Sequence, residues 1–117
     1  MNSNLRSLAE ENLLGSWEII RRYPLDKHTC FFDEKIIFKP ANQFTATREG
    51  TTIDGRWEFI INDASYSHPQ MKFFLPHNDF SDHSIITGHY SIYRDGLERK
   101  RLALYFKSGL EVILEKD

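Results

Sequence analysis

Cysteine is almost missing from this chain. Cys30 is the only one in 117 residues, so no internal disulfide can form. Small secreted domains more often carry paired cysteines, which sets an expectation of a reducing, cytoplasmic compartment. Long apolar runs are lacking as well: nothing approaches the ~20 residues of a spanning helix. The opening residues Met1-Asn2-Ser3-Asn4-Leu5-Arg6 contain no apolar signal-peptide core. Nor is there an excess of one charge. A net charge of -2 supplies no basic face to neutralise phosphates, which argues against a nucleic-acid partner.

Chemistry-bearing motifs are equally scarce. The six glycines form no phosphate-cradling loop, and Ser65, Ser67, Ser81 and Ser84 stand in no nucleophile-elbow context. Cys30 lies near His28 but is followed by Phe31-Phe32, which marks a partly buried, inert thiol. His77 and His83 flank Asp79 and Asp82, with His68 upstream, yet this spacing matches no helical or knuckle-type zinc site. No catalytic residue, metal or cofactor is therefore expected.

What the chain does have is aromatic side chains: nine Phe, five Tyr and two Trp. These suit a pleated, half-buried surface and favour strands. Ser7-Leu8-Ala9-Glu10 reads as a capping box opening a helix over 8–14, with Leu8, Leu13 and Leu14 as its apolar stripe. Gly15 closes that helix. Domain organisation follows: 1–14 a helical plug, 15–117 one β domain.

From Ser16 the hydrophobic period changes to two. Trp17, Ile19 and Arg21 share one face until Pro24; Ile36 and Phe38 precede a Pro40-Ala41-Asn42 turn, and Phe44 and Ala46 follow it. Glu49-Gly50 turns the chain again, into a strand with Trp57, Phe59 and Ile61 in register. Met71, Phe73 and Leu75 mark a fifth strand, and Ile86, Tyr90 and Ile92 a sixth, with Gly88 a candidate bulge. Asp95-Gly96 is a hairpin signal. Leu102, Leu104 and Phe106, then Leu110, Val112 and Leu114, complete eight strands. Short turns throughout, with no helical pattern between strands, predict an all-β, eight-stranded antiparallel up-and-down barrel.

Leu14-Gly15-Ser16-Trp17 after a short helix, Phe38 and Phe44 flanking a turn, Gly55-Arg56-Trp57, and the terminal run Leu110 to Lys116 carry a resemblance. The chain resembles the lipocalin and fatty-acid-binding-protein (calycin) superfamily, and within it the short bacterial lipocalin-like domains. The resemblance implies a barrel sealed at one end by the helix and Trp17, with any ligand entering at the other. The Arg-x-Tyr carboxylate anchor of fatty-acid binders is absent: the late strands read Arg101-Leu102-Ala103 and Glu111-Val112-Ile113. Fatty-acid binding is not carried over.

Two functional expectations remain. In the first, a small apolar ligand sits in the barrel near its open end, with Arg21, Glu34, Trp57 and Tyr90 as contacts, against the alternative of a fully packed lumen. In the second, the chain is an immunity-type protein that neutralises a toxin domain. Alternation places Ile20, Phe31, Ile37, Phe74, Tyr93, Tyr105 and Ile113 on the outer face, and Phe31, Phe74, Tyr93 and Tyr105 form its contact surface.

Overall fold

Trp17 fixes which side of the first strand faces in, because the largest apolar side chain gains most from leaving water. In the computed structural model, which describes residues 8–23, 31–61, 68–75 and 80–116, Trp17 is 0% exposed. It lies on β1 (Gly15–Tyr23), the first of eight antiparallel strands. The others are β2 (Lys35–Lys39), β3 (Gln43–Arg48), β4 (Thr51–Ile60), β5 (Gln70–Leu75), β6 (Phe80–Arg94), β7 (Leu97–Phe106) and β8 (Glu111–Lys116). Each pairs with its neighbour in sequence, and β8 pairs back onto β1, closing the barrel. Closure pairs the first strand with the last, which an open sheet would leave as edges.

The tight turns follow from their residues. Glu49-Gly50 and Asp95-Gly96 each place two consecutive residues at positive φ, the primed geometry that matches strand twist. Strand β7 accordingly begins at Leu97, and the β6–β7 hairpin runs past the neighbouring strands, β5 starting opposite Ile85 and β8 ending two residues below Leu102.

The N-terminal plug differs from the expected helix. Only Glu10–Asn12 forms a single 3-10 turn, and Ser7 lies outside the described residues. The Asn12 side chain accepts from the Ala9 N–H at 2.8 Å, doing locally what a longer helix would do with its next turn. So few residues before Gly15 cannot offset the cost of helix nucleation. Leu8 and Leu13 are nevertheless buried against the core, so the plug exists without the helix. Asn42 ties it to the wall: its side-chain amide donates to Glu10 Oε1 at 2.9 Å and to the Trp57 carbonyl at 3.0 Å.

Two β-bulges re-aim side chains. In β1, Ile19 faces Leu114 but Arg21 already faces Ile113, so Ile20 is the extra residue. Arg22 then opposes the buried Val112, and Arg21 turns outward and is exposed. In β6, Ile86 faces Leu104 and Gly88 faces Ala103, so the extra residue is Thr87. Below it His89, opposite the buried Leu102, takes the inner side, and Tyr90, opposite Arg101, the outer one. The expected inward positions of Arg21, Tyr90 and Ile92, and the expected outer-face position of Tyr93, which shares the parity of His89, are thereby corrected, each by one inserted residue.

Candidate functional site

The lumen is built from rings. Phe73 lies 6.2 Å from Phe38, 5.9 Å from Phe44 and 6.0 Å from Phe106, centroid to centroid, and Phe38 packs on Trp57 at 5.0 Å. Ile36, Met71, Ile86, Leu102, Leu104, Val112 and Leu114 fill the space between, all fully buried. Gly55 makes room for this packing: a Cβ there would stand 2.6 Å from the Phe44 ring.

Both ends are closed. At one end Leu8 and Leu13 cover Trp17, whose indole N–H donates to the Leu13 carbonyl at 2.8 Å. The Lys116 ammonium sits 5.5 Å over the same ring and the His89 ring meets it edge-on at 6.5 Å. At the other end the chain entering β2 folds in. Phe31, only 3% exposed, packs on Phe32 at 4.9 Å, Phe44 at 5.4 Å and Phe73 at 5.0 Å. Alternation cannot place a residue that precedes a strand, and here burial decided its side. Phe31 therefore leaves the expected contact surface and joins the core.

The four expected ligand contacts are not brought together. Arg21 and Glu34 are exposed, Trp57 is sealed in the core with its N–H on the Gln43 carbonyl at 2.9 Å, and Tyr90 is half-buried on the outer face. Of the remaining contact candidates, Phe74 lies on the outside 6.0 Å beneath the Arg56 guanidinium. Tyr93 is 70% exposed near the hairpin tip and donates its hydroxyl proton to Glu98 at 3.3 Å. Tyr105 is 45% exposed. His28, Cys30, His77 and Asp79 lie outside the described residues. Among the described residues no three of His, Cys, Asp and Glu converge on one point.

Polar groups gather in two places. Inside the β6–β7 hairpin, Lys100 donates to Ser91 Oγ at 2.7 Å and lies 3.5 Å from Glu98. The Ser91 hydroxyl first, and Lys100 next, hold the Glu98 carboxyl below its usual range. His89 deeper in is held below its ordinary value by burial first, then by Lys100 and Lys116.

The second place is the outer face of β5, β6 and β7. A depression of about 300 Å³ is lined by Gln70, His83, Ile85, Tyr105 and Lys107. Cross-strand register explains it. Gln70, Ile85, Tyr105, Glu111 and Tyr23 form one row across five strands. Lys72, His83 and Lys107 form the row above, the last joined by its N–H to the His83 carbonyl at 3.0 Å. Asp82 lies beside it, opposite Phe73, and burial raises its carboxyl, partly offset by the His83 N–H and the His83 charge. Sequence alternation found Tyr105 but not its neighbours, since cross-strand rows are set by register. A second, more polar depression of about 370 Å³ lies over Gly55, between Lys39, Thr45, Asp54 and Arg56.

Comparison of the chain with protein-family models, with curated proteins and with solved structures returns no match.

Proposed function

We propose that this chain is a non-enzymatic binding module whose partner is a protein held on the outside of the barrel. The carrying observation is the lumen itself: an unbroken set of buried rings and aliphatic chains, closed below by Leu8 and Leu13 and above by Phe31 and Phe32. A ligand inside would have to displace these buried side chains. The outer face, by contrast, offers the depression at Tyr105 and exposed Tyr23 and Ile20. The partner class that fits is a toxin domain neutralised by tight one-to-one binding, the action of an immunity protein. The closed, sequential eight-strand order supports the lipocalin-like resemblance as a scaffold, with the binding moved from lumen to wall. The lone cysteine supports a reducing compartment, the cytoplasm, as the place of action.

The test has two arms. Native mass spectrometry of freshly purified protein should give the apo mass, and an environment-sensitive apolar dye should not bind. Co-expression with the product of the adjacent gene should give a one-to-one complex by light scattering. Stoichiometric dye binding that quenches Trp17 and Trp57 overturns the outer-face reading. So does a gene neighbourhood of metabolic enzymes with no complex formed.

A further inference from the structure

Resting on that reading, we infer that the β5–β6–β7 face recognises an acidic protein segment carrying an aromatic or bulky apolar side chain. Two adjacent rows of the wall carry the argument. The lower row presents Ile85 and the 45%-exposed Tyr105 as the floor of a depression of about 300 Å³, enough for one large side chain. The upper row presents Lys72 opposite His83, and Lys107, just past the end of β7, joined by its N–H to the His83 carbonyl. Such neighbours stand roughly 5 Å apart at Cβ, so Lys72 and Lys107, on either side of His83, act as one cationic rim.

Among the described residues neither Lys72 nor Lys107 forms an ion pair or a side-chain hydrogen bond, unlike Arg94, Arg101 and Lys100, which are held by Glu115 and Glu98. Glu58 pairs with Lys72 in register and Glu111 with Tyr105, but no bridge closes across the rim. In a chain of net charge -2, a free cationic row beside an aromatic floor is complementary to carboxylates flanking a ring. A nucleic acid is disfavoured, because one row of two lysines and a histidine, with Glu58 beside it in register and Glu111 in the row below, is too short to follow a phosphate backbone.

The probe is the peptide acetyl-Asp-Phe-Asp-Phe-Asp-amide, titrated into nitrogen-15-labelled full-length protein. The amides of Gln70, His83, Ile85, Tyr105 and Lys107 should shift. Lys72→Glu with Lys107→Glu should weaken the fitted affinity about tenfold, and Tyr105→Ala about fivefold. Both variants change outer-face residues, of which Tyr105 and Lys107 are exposed and Lys72 half-buried, and should keep the wild-type spectrum elsewhere. The same peptide with lysine for aspartate should leave those amides still. No shift with the acidic peptide, equal shifts with the basic one, or preferential binding of an eight-residue thymidine oligonucleotide overturns the proposal. An apolar dye added to the same sample separates the two readings. If dye and peptide both leave the spectrum unchanged, the surface chemistry fails while the outer-face reading stands. If the dye moves the indole signals of Trp17 and Trp57, the outer-face reading fails, and this inference with it.

Discussion

Gly55→Ala tests the packing of the lumen at its tightest point. The added Cβ would overlap the Phe74 carbonyl oxygen and stand 2.6–2.7 Å from two ring carbons of Phe44. Neither neighbour can retreat freely. The carbonyl belongs to the β4–β5 ladder, where Arg56 pairs with Phe74. The ring is held between Phe31 at 5.4 Å and Phe73 at 5.9 Å. Overpacking of this kind costs about 1–3 kcal/mol, and with a backbone atom in the clash the upper end applies. For 117 residues, about 3 kcal/mol lowers Tm by about 12 °C. Urea unfolding followed by tryptophan fluorescence, with calorimetry for Tm, measures both. Gly50→Ala is the control: its φ is +77° but nothing lies within 4 Å, so only the left-handed strain of about 1 kcal/mol remains. Pairing Gly55→Ala with Phe44→Leu should recover the ring's share of the loss and leave the carbonyl's. A Gly55→Ala cost at or below that of Gly50→Ala would refute the packing argument, and so would full recovery in the pair.

Four further outcomes are expected. Trp17→Phe keeps a ring in place but orphans the Leu13 carbonyl, which accepts at 2.8 Å, and should cost about 1–3 kcal/mol in denaturant unfolding. Phe31→Ala should cost about 3–5 kcal/mol as a core truncation, whereas Tyr105→Ala should stay within about 0.5 kcal/mol; the reverse order would put Phe31 back on the surface. Glu115, 3.2 Å from Arg94 and 3.1 Å from Arg101, is the anchor of the β6–β7 hairpin; Glu115→Gln should cost about 1 kcal/mol at low salt and less in 1 M sodium chloride. For His89 the folded-state pKa lies below its ordinary 6.5, so the unfolded chain binds the proton first; stability should fall as pH drops through 6.5, and His89→Gln should flatten that limb of a stability-versus-pH curve.

The wall of this barrel was legible in the sequence because it rests on local rules. Alternation identified Trp17, Ile36, Phe38, Phe44, Trp57, Met71, Phe73, Ile86 and Leu102 as inward, and all are buried. Glu49-Gly50 and Asp95-Gly96 announced their hairpins through residues that tolerate positive φ. What failed was parity. Nothing in the composition of β1 says that Ile20 is an extra residue, yet that insertion exchanges Arg21 for Arg22. Gly88 did mark the place of the β6 bulge, but not which side chains would change face. The candidate site was less legible still. Lys72 and His83 lie on two strands and Lys107 just past the end of a third, and only register makes them neighbours.

The bulge at Thr87 links fold to function. Without it, Tyr90 and Ile92 would continue the inner row of Ile86 and lie beneath Trp17, and the barrel would end in an apolar mouth. With it, His89, Ser91 and Tyr93 take the inner side, opposite Leu102, Lys100 and Glu98. The hydrogen-bonded ladder that results needs water or charge around it, not a lipid chain. Above the bulge the row of Ile86 stays inward, and His83 and Ile85 stay outward beside Tyr105 and Lys107. One inserted residue thus gives β6 a closed inner end and leaves its upper outer face as the surface where aromatic, aliphatic and unpaired cationic groups meet.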